Sequence, residues 1–252
     1  MKIHVGTSGY SYPEWKGSFY PEKFPTKKML GFYAEHFPTV EMNNTHYKMP
    51  TVEGVEGWAA QVPATFRFIL KAPQAITHFK RLKNVDDDVA AFVTAAAALK
   101  KRRGPLLFQL PPNFKQDLPR LEAFLDLLED VPQVVMEFRH ESWFDATTYE
   151  LLRARNCALC VNDTEEQPAA EIVPTAKFGY LRLRRGDYTS RTLAAWLQKI
   201  REQKWTDAYV LFRHEDTGAG PAFAKILLEQ SKVVEKVPLK SPRSSKRQPP
   251  TT

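Results

Sequence analysis

Over residues 1–231, short runs of Val, Ile, Leu and Phe alternate with longer stretches whose apolar residues recur every three or four positions. The short runs predict strands buried on both faces, and the longer stretches predict amphipathic helices laid over them. This is the alternation of βα units around a parallel sheet. Eight strands are predicted: KIHVG (2–6), TVEMN (39–43), RFILKA (67–72), LLFQL (106–110), VVMEFR (134–139), ALCVND (158–163), FGYLRLR (178–184) and AYVLFRH (208–214). Helices are predicted over 27–36, 52–61, 87–103, 118–129, 146–156, 191–203 and 221–230. Asp117 is placed to cap the fourth of these and Gly104-Pro105 to end the third. Pro168 and Pro174 make the helix after the sixth strand short or absent.

The expected architecture is therefore a single (β/α)₈ TIM-type barrel over residues 1–231. A doubly wound open sheet shares the same alternation, but eight regular strands suit closure and no GxGxxG follows the first strand. No internal repeat breaks the pattern.

Charge changes the picture at the C-terminus. The net charge is +7, and residues 232–252 hold six basic residues and one acid, leaving 30 bases against 28 acids before them. That segment is rich in Pro and Ser and lacks aromatics, so it is expected to be a disordered basic tail. It suits either a solubilising role or contact with nucleic acid through counterion release. The chain has no run of about 18 apolar residues and does not open on an apolar leader, so a cytoplasmic protein with no membrane partner is expected. Cys157 and Cys160 lie within one apolar run and read as buried thiols; a zinc site would need two more ligands.

Barrels of this kind carry their chemistry at the C-terminal ends of the strands. Those ends hold Ser8, Glu41, Asn43, Lys71, Gln109, Glu137, Arg139, Asn162, Asp163, Tyr180, Arg182, Arg184, Arg213 and His214. Residues two apart share a face, so Glu41 goes with Asn43, Glu137 with Arg139, and Tyr180 with Arg182 and Arg184. Charges inside apolar strands must be paired or must line a wet pocket. One reading is a structural ion-pair layer. The other is a binding site, in which the excess of Lys71, Arg139, Arg182, Arg184 and Arg213 over the acids selects a phosphate or carboxylate.

Glu137, then Glu41, then Asp163 are the candidates for acid–base work, with the remaining polar strand ends as substrate contacts. A divalent metal on these carboxylates and His214 is conceivable chemically, yet no HExxH or DxD fixes it, and no P-loop or dinucleotide motif implies a nucleotide cofactor. His46, His78 and His140 read as structural. Tyr10, Tyr12, Trp15, Phe19, Tyr20 and Tyr47 either pack over the barrel mouth or stack a base or sugar. Gly6 and Gly9 around Thr7-Ser8 offer an anion nest.

Several segments carry a resemblance covering nearly all of 1–231: GTSGYSYPEWKGSFYP (6–21), VEMNNTHYKMP (40–50), FRFILKAPQAITH (66–78), LLFQLPPNF (106–114), MEFRHESW (136–143), YLRLRRGDY (180–188) and YVLFRHEDTGAG (209–220). Together they resemble the DUF72, or YecE-like, family of TIM barrels, whose biochemical function is unassigned. The resemblance implies shared polar positions at Ser8, Glu41, Asn43, Lys71, Gln109, Glu137, Arg139, Asp163 and Arg182. It also marks departures: His46 where the family usually has Phe, Arg184-Arg185-Gly186 near a usual His-Gly pair, and Arg213-His214 at a usual Asn-Asn pair. The expectation is an enzyme of hydrolase or lyase type acting on a phosphate-bearing or other anionic substrate. The alternative is a non-catalytic nucleic-acid-binding or ligand-sensing protein that uses the tail.

Overall fold

The structure, a computed structural model, describes residues 1–165, 171–213 and 218–234. In chain order it runs β1 (Lys2–Ser8), α1 (Met29–His36), β2 (Thr39–Met42), α2 (Asn44–Tyr47), α3 (Val52–Ala59), β3 (Arg67–Lys71), α4 (Asp86–Ala97), β4 (Arg103–Gln109), α5 (Leu118–Asp126), β5 (Val134–Glu137), α6 (Ala146–Ala154), β6 (Ala158–Leu159), β7 (Val161–Asp163), β8 (Phe178–Leu183), α7 (Ser190–Arg201), β9 (Asp207–Phe212) and α8 (Ala219–Val234). Every strand pairing is parallel, in the order β6-β5-β4-β3-β2-β1-β9-β8-β7.

The two ends of this order are one continuous segment. Residues 158–159 pair with β5, residues 161–163 pair with β8, and Cys160 between them donates its amide to Met136 O at 2.9 Å. The predicted sixth strand thus hands over from one neighbour to the other, which closes a TIM-like α/β barrel with staggered strands. The described part of the 164–177 link carries no helix.

Two apolar layers hold the barrel. Inside it lie Ile69, Leu107, Val135, Ala158, Phe178, Tyr180, Tyr209 and Leu211. Outside, the strands' other faces meet the helices. α7 shows how: Leu193, Trp196, Leu197 and Ile200 form a buried stripe at i, i+3, i+4 and i+7, and Thr189 and Thr192 close a capping box at its start. Asp117 caps α5 through Arg120 N at 3.1 Å, as expected.

Three local expectations change. Gly104-Pro105 does not end the third helix; α4 stops at Ala97, a 3₁₀ turn follows at Lys100–Arg102, and both residues lie inside β4. They fit there because the β3–β4 register is irregular between Phe68 and Leu70, and a Cβ on Gly104 would sit 3.0 Å from Phe68 O. The turn after β2 is helical (α2), and a π-helical turn at Ala75–Phe79 follows β3. α8 continues to Val234, and the tail from 235 onward is outside the described residues, as is His214. Among the described residues no helix is long and apolar enough to cross a membrane.

Gly6 is required by space rather than by its dihedral, since a Cβ there would lie 2.0 Å from the carbonyl oxygen of Thr39 on the adjoining strand. The expected anion nest is not available. Gly9 N donates to Glu41 O at 2.8 Å and Thr7 N to the Tyr33 hydroxyl at 2.8 Å.

Candidate functional site

Strand alternation carries the inner apolar layer upward into a charged one. Ile69 is followed on its face by Lys71, Leu107 by Gln109, Val135 by Glu137, Tyr180 by Arg182 and then Arg184, and Leu211 by Arg213. At the centre, the Arg182 side chain is fully buried and forked between two fully buried carboxylates. Its Nη2 donates to Glu41 Oε1 at 2.7 Å and its Nη1 to Glu137 Oε2 at 2.6 Å. The Tyr180 hydroxyl donates to Glu41 Oε2 at 2.5 Å, and Gln109 Oε1 accepts from Arg182 Nη1 at 3.4 Å. Arg139 Nη2 lies 2.6 Å from Glu137 Oε1, with Arg184 Nη2 at 3.6 Å.

This arrangement sets the protonation states. Burial alone would raise the Glu137 carboxyl, but the surrounding Arg182, Arg184 and Arg139 outweigh it and hold the group well below the usual carboxylate range. Glu137 is therefore a permanent anion at neutral pH. Burial lowers the Arg184 guanidinium to about 10, aided by Arg182, and it still keeps its charge at neutral pH.

Above this floor opens a cavity of about 640 Å³ lined by Tyr12, Asn43, His46, Tyr47, Lys71, Gln109, Pro112, Arg139, Arg182, Arg184 and Arg213. Among the described residues the lining holds five Lys and Arg residues and no carboxylate. Several of its buried polar atoms have no hydrogen-bond partner: Arg139 Nε, Arg182 Nε, Arg184 Nε and Nη2, and Asn43 Oδ1. Most are donors, and buried donors are ordinarily satisfied. Ser8 Oγ and Asn162 Oδ1 are likewise buried without a partner at strand ends.

Lys71 stands half-buried at the end of β3, its ammonium engaged in no hydrogen bond or ion pair among the described residues. Burial pushes its pKa down to about 8, with Arg182 adding to the effect and Glu41 and Glu137 opposing it. His46, on α2, is buried. Its Nδ1 lies 3.1 Å from Ala72 O, which makes Nδ1 the donor and leaves Nε2 as the basic nitrogen. Burial, and then Lys71, lower its pKa, so the ring is neutral at neutral pH. His78, packed edge-on against His46 at 4.9 Å between ring centroids, is lowered to about 4, chiefly by burial.

The structure thus brings together Glu41, Asn43, Lys71, Gln109, Glu137, Arg139, Tyr180, Arg182, Arg184 and Arg213, with Glu41, Glu137 and Tyr180 beneath the cavity rather than in its wall. Asp163 is not brought in. It is buried on the other face of β7, where its Oδ2 accepts from the Tyr188 hydroxyl at 2.7 Å. Among the described residues no three His, Cys, Asp or Glu side chains gather as a metal site. Cys157 and Cys160 are buried free thiols, both pushed up by burial.

Of the aromatic loop, Trp15 and Tyr20 are buried and Phe19 packs among Phe32, Tyr33 and Phe37, whereas Tyr12 and the exposed Tyr47 reach the cavity wall. Reading strand ends alone did not select His46, Tyr12, Tyr47 and Pro112, which sit on loop turns. The aromatic run over the barrel mouth marks Tyr12 and Tyr47, whereas His46 reads as structural and Pro112 carries no signal beyond its proximity in sequence to Gln109.

Fold and site together define a TIM-like α/β barrel with a cationic cavity at its C-terminal rim. The family model described as "Protein of unknown function DUF72" matches residues 4–249, and the chain belongs to that family. Among curated relatives, the UPF0759 protein YecE of Escherichia coli is 36% identical over 143 residues, 56% of this chain and half the length of YecE. The UPF0759 protein YunF of Bacillus subtilis is 28% identical over 232 residues, 84% of this chain and 78% of YunF. A DUF72 family protein of Thermotoga maritima has a similar crystal structure, with TM-score 0.80 and 26% identity, covering 92% of this chain and all of that one. A solved methyltransferase from Methanosarcina mazei, at TM-score 0.54 and 11% identity, shares the fold alone.

Proposed function

We propose that this protein is an enzyme whose barrel mouth binds a small phosphate-bearing or otherwise anionic substrate, with chemistry of hydrolase or lyase type. The observation that carries the reading is the set of guanidinium nitrogens without a hydrogen-bond partner on Arg139, Arg182 and Arg184, around a cavity with no acidic lining among the described residues. A phosphate or carboxylate supplies the acceptor oxygens these donors need, and charge-assisted bonds of this kind are the strong ones. A cavity of this size falls in the range of small-molecule sites.

The roles divide by depth. Glu41 and Glu137 act as counter-ions that fix Arg182. Glu137, first among the acid–base candidates by sequence, is held too firmly ionised to give up a proton at neutral pH. Arg139 and Arg184 form the clamp. Proton traffic then falls to Lys71, brought down to about 8, and to the Nε2 of the neutral His46 ring, a proton acceptor in the same wall. The tail on which a nucleic-acid-binding role would draw lies outside the described residues.

The test is a thermal-shift panel of phosphate esters and carboxylic acids against neutral isosteres at constant ionic strength. An anion at about 100 times its Kd should raise Tm by roughly 5–10 °C. Compounds that bind should then be followed for conversion by mass spectrometry, with Arg184→Met as the variant that loses both responses. Stabilisation by no anion, or equally by neutral isosteres, overturns the reading.

A further inference from the structure

We infer that Lys71 is a nucleophile that forms a Schiff base with a carbonyl group of the bound substrate, so that the substrate class is narrowed to anionic aldehydes and ketones. The inference rests on the anion-binding reading above and deepens it. Its geometric basis is the placement of one primary amine in the wall of a cavity whose other cations are all guanidinium groups. Guanidinium groups bind anions but do not attack carbonyls at neutral pH; a lysine does so once it is neutral.

The amine is also unoccupied in the way a nucleophile must be. Glu41 and Glu137, the carboxylates near enough to act on Lys71 electrostatically, are already spent on Arg182, Arg139 and Tyr180. No ion pair among the described residues ties the ammonium down. A simple anion clamp would not need a lysine that burial drives towards neutrality at about pH 8, because a neutral amine contributes no charge. His46 supplies the second requirement. It lines the same cavity, its Nδ1 proton is committed to Ala72 O, and its Nε2 is left as a proton acceptor.

The step balances as follows. The lone pair of neutral Lys71 Nζ attacks the carbonyl carbon; a C–N bond forms and the C=O π pair moves onto oxygen. His46 Nε2 takes the proton from the new ammonium and returns it to that oxygen, giving a neutral carbinolamine. The C–O bond then breaks as one further proton from solvent reaches the oxygen. Water leaves, and the nitrogen lone pair closes the C=N bond of an iminium. The clamped anionic group and the Arg182 layer hold the carbonyl over Nζ throughout. The iminium withdraws electrons from the adjacent carbon, which is the chemistry a lyase of this type requires.

The experiment uses the full chain, pyridoxal 5′-phosphate as a phosphate-bearing aldehyde, and unphosphorylated pyridoxal as its partner probe. Adducts are fixed with borohydride and mapped by mass spectrometry. Lys71 should be labelled by the phosphorylated probe at least about tenfold faster than any other lysine. Labelling should rise with pH through a midpoint near 8, fall on addition of inorganic phosphate, and be much weaker with pyridoxal. His46→Asn, which keeps a donor for Ala72 O, should slow adduct formation without weakening inorganic phosphate binding. Phosphate binding without preferential labelling of Lys71 overturns this inference and leaves the anion site standing. Absence of binding by phosphate and by every carboxylate of the thermal-shift panel overturns both.

Discussion

The floor of the barrel mouth and the cavity above it are built from the same residue types, yet they differ in what their charges are doing. In the floor, one arginine is matched by two carboxylates and a tyrosine, and every terminal guanidinium nitrogen of Arg182 has a partner within 2.7 Å. In the wall, Arg184 lies two residues further along the same chain, and its Nη2 comes no closer than 3.6 Å to Glu137. Charge whose terminal nitrogens are matched at the bottom reads as structure, whereas Arg182 Nε and the Arg184 nitrogens that lack an acceptor read as a place for something else. The lesson is that composition of a charged layer says little until each donor is followed to its acceptor.

That comparison can be broken by mutation, beginning with the floor. Glu137→Leu leaves the buried Arg182 and the half-buried Arg139 beside a lost counter-charge, so it should cost about 3–5 kcal/mol, a fall in Tm of roughly 10 °C. A neutral or stabilising change by thermal unfolding would show that the layer is not held by this pairing. In the wall the same kind of change should act on binding instead. Arg184→Met should weaken inorganic phosphate about 10- to 100-fold by titration, while stability moves by less than about 1 kcal/mol.

Acid should separate the regions again. His78, lowered to about 4 from an ordinary value of 6.5, and His46, also lowered, are neutral when folded and protonated when unfolded. The unfolded chain binds more protons between pH 6.5 and about 4, so stability rises with pH across that window and falls as acid is added. The loss should be about 1 kcal/mol by urea unfolding, given the partial exposure of His78, and His78→Asn should flatten it. Glu137 works at lower pH: its depressed carboxyl adds stability above the ordinary carboxylate value of 4.5 and loses it on further acidification. The smallest effect concerns Asp163. Asp163→Asn keeps an acceptor for Tyr188 and should leave phosphate affinity unchanged.

Much of this was legible in the chain. Period-two and near-3.6 patterns place the strands and most helices, and charged residues at the ends of apolar strands can be read directly as Glu41, Lys71, Glu137, Arg139 and Arg182. What could not be read depends on partners distant in sequence. Glu137 reads as an acid–base group until Arg182, 45 positions away, is found on its oxygen. Asp163 and Asn162 end a run apolar on both faces, so alternation does not say which of the two points inward; only the switch of pairing at Cys160 decides it. Gly104-Pro105 carries a helix-ending signature, but the irregular register beside Phe68 makes room for it within a strand. His46 reaches the cavity because the turn after β2 is helical, which no local periodicity over four residues could show.

The central claim, an ion-paired floor beneath an anion-binding wall whose donors lack acceptors, is tested most directly by calorimetric titration of inorganic phosphate into the full chain and into Arg184→Met. Saturable binding at one site in the first, reduced at least tenfold in a variant of unchanged stability, is the predicted result. Equal binding by both proteins, or none by the first, would contradict it.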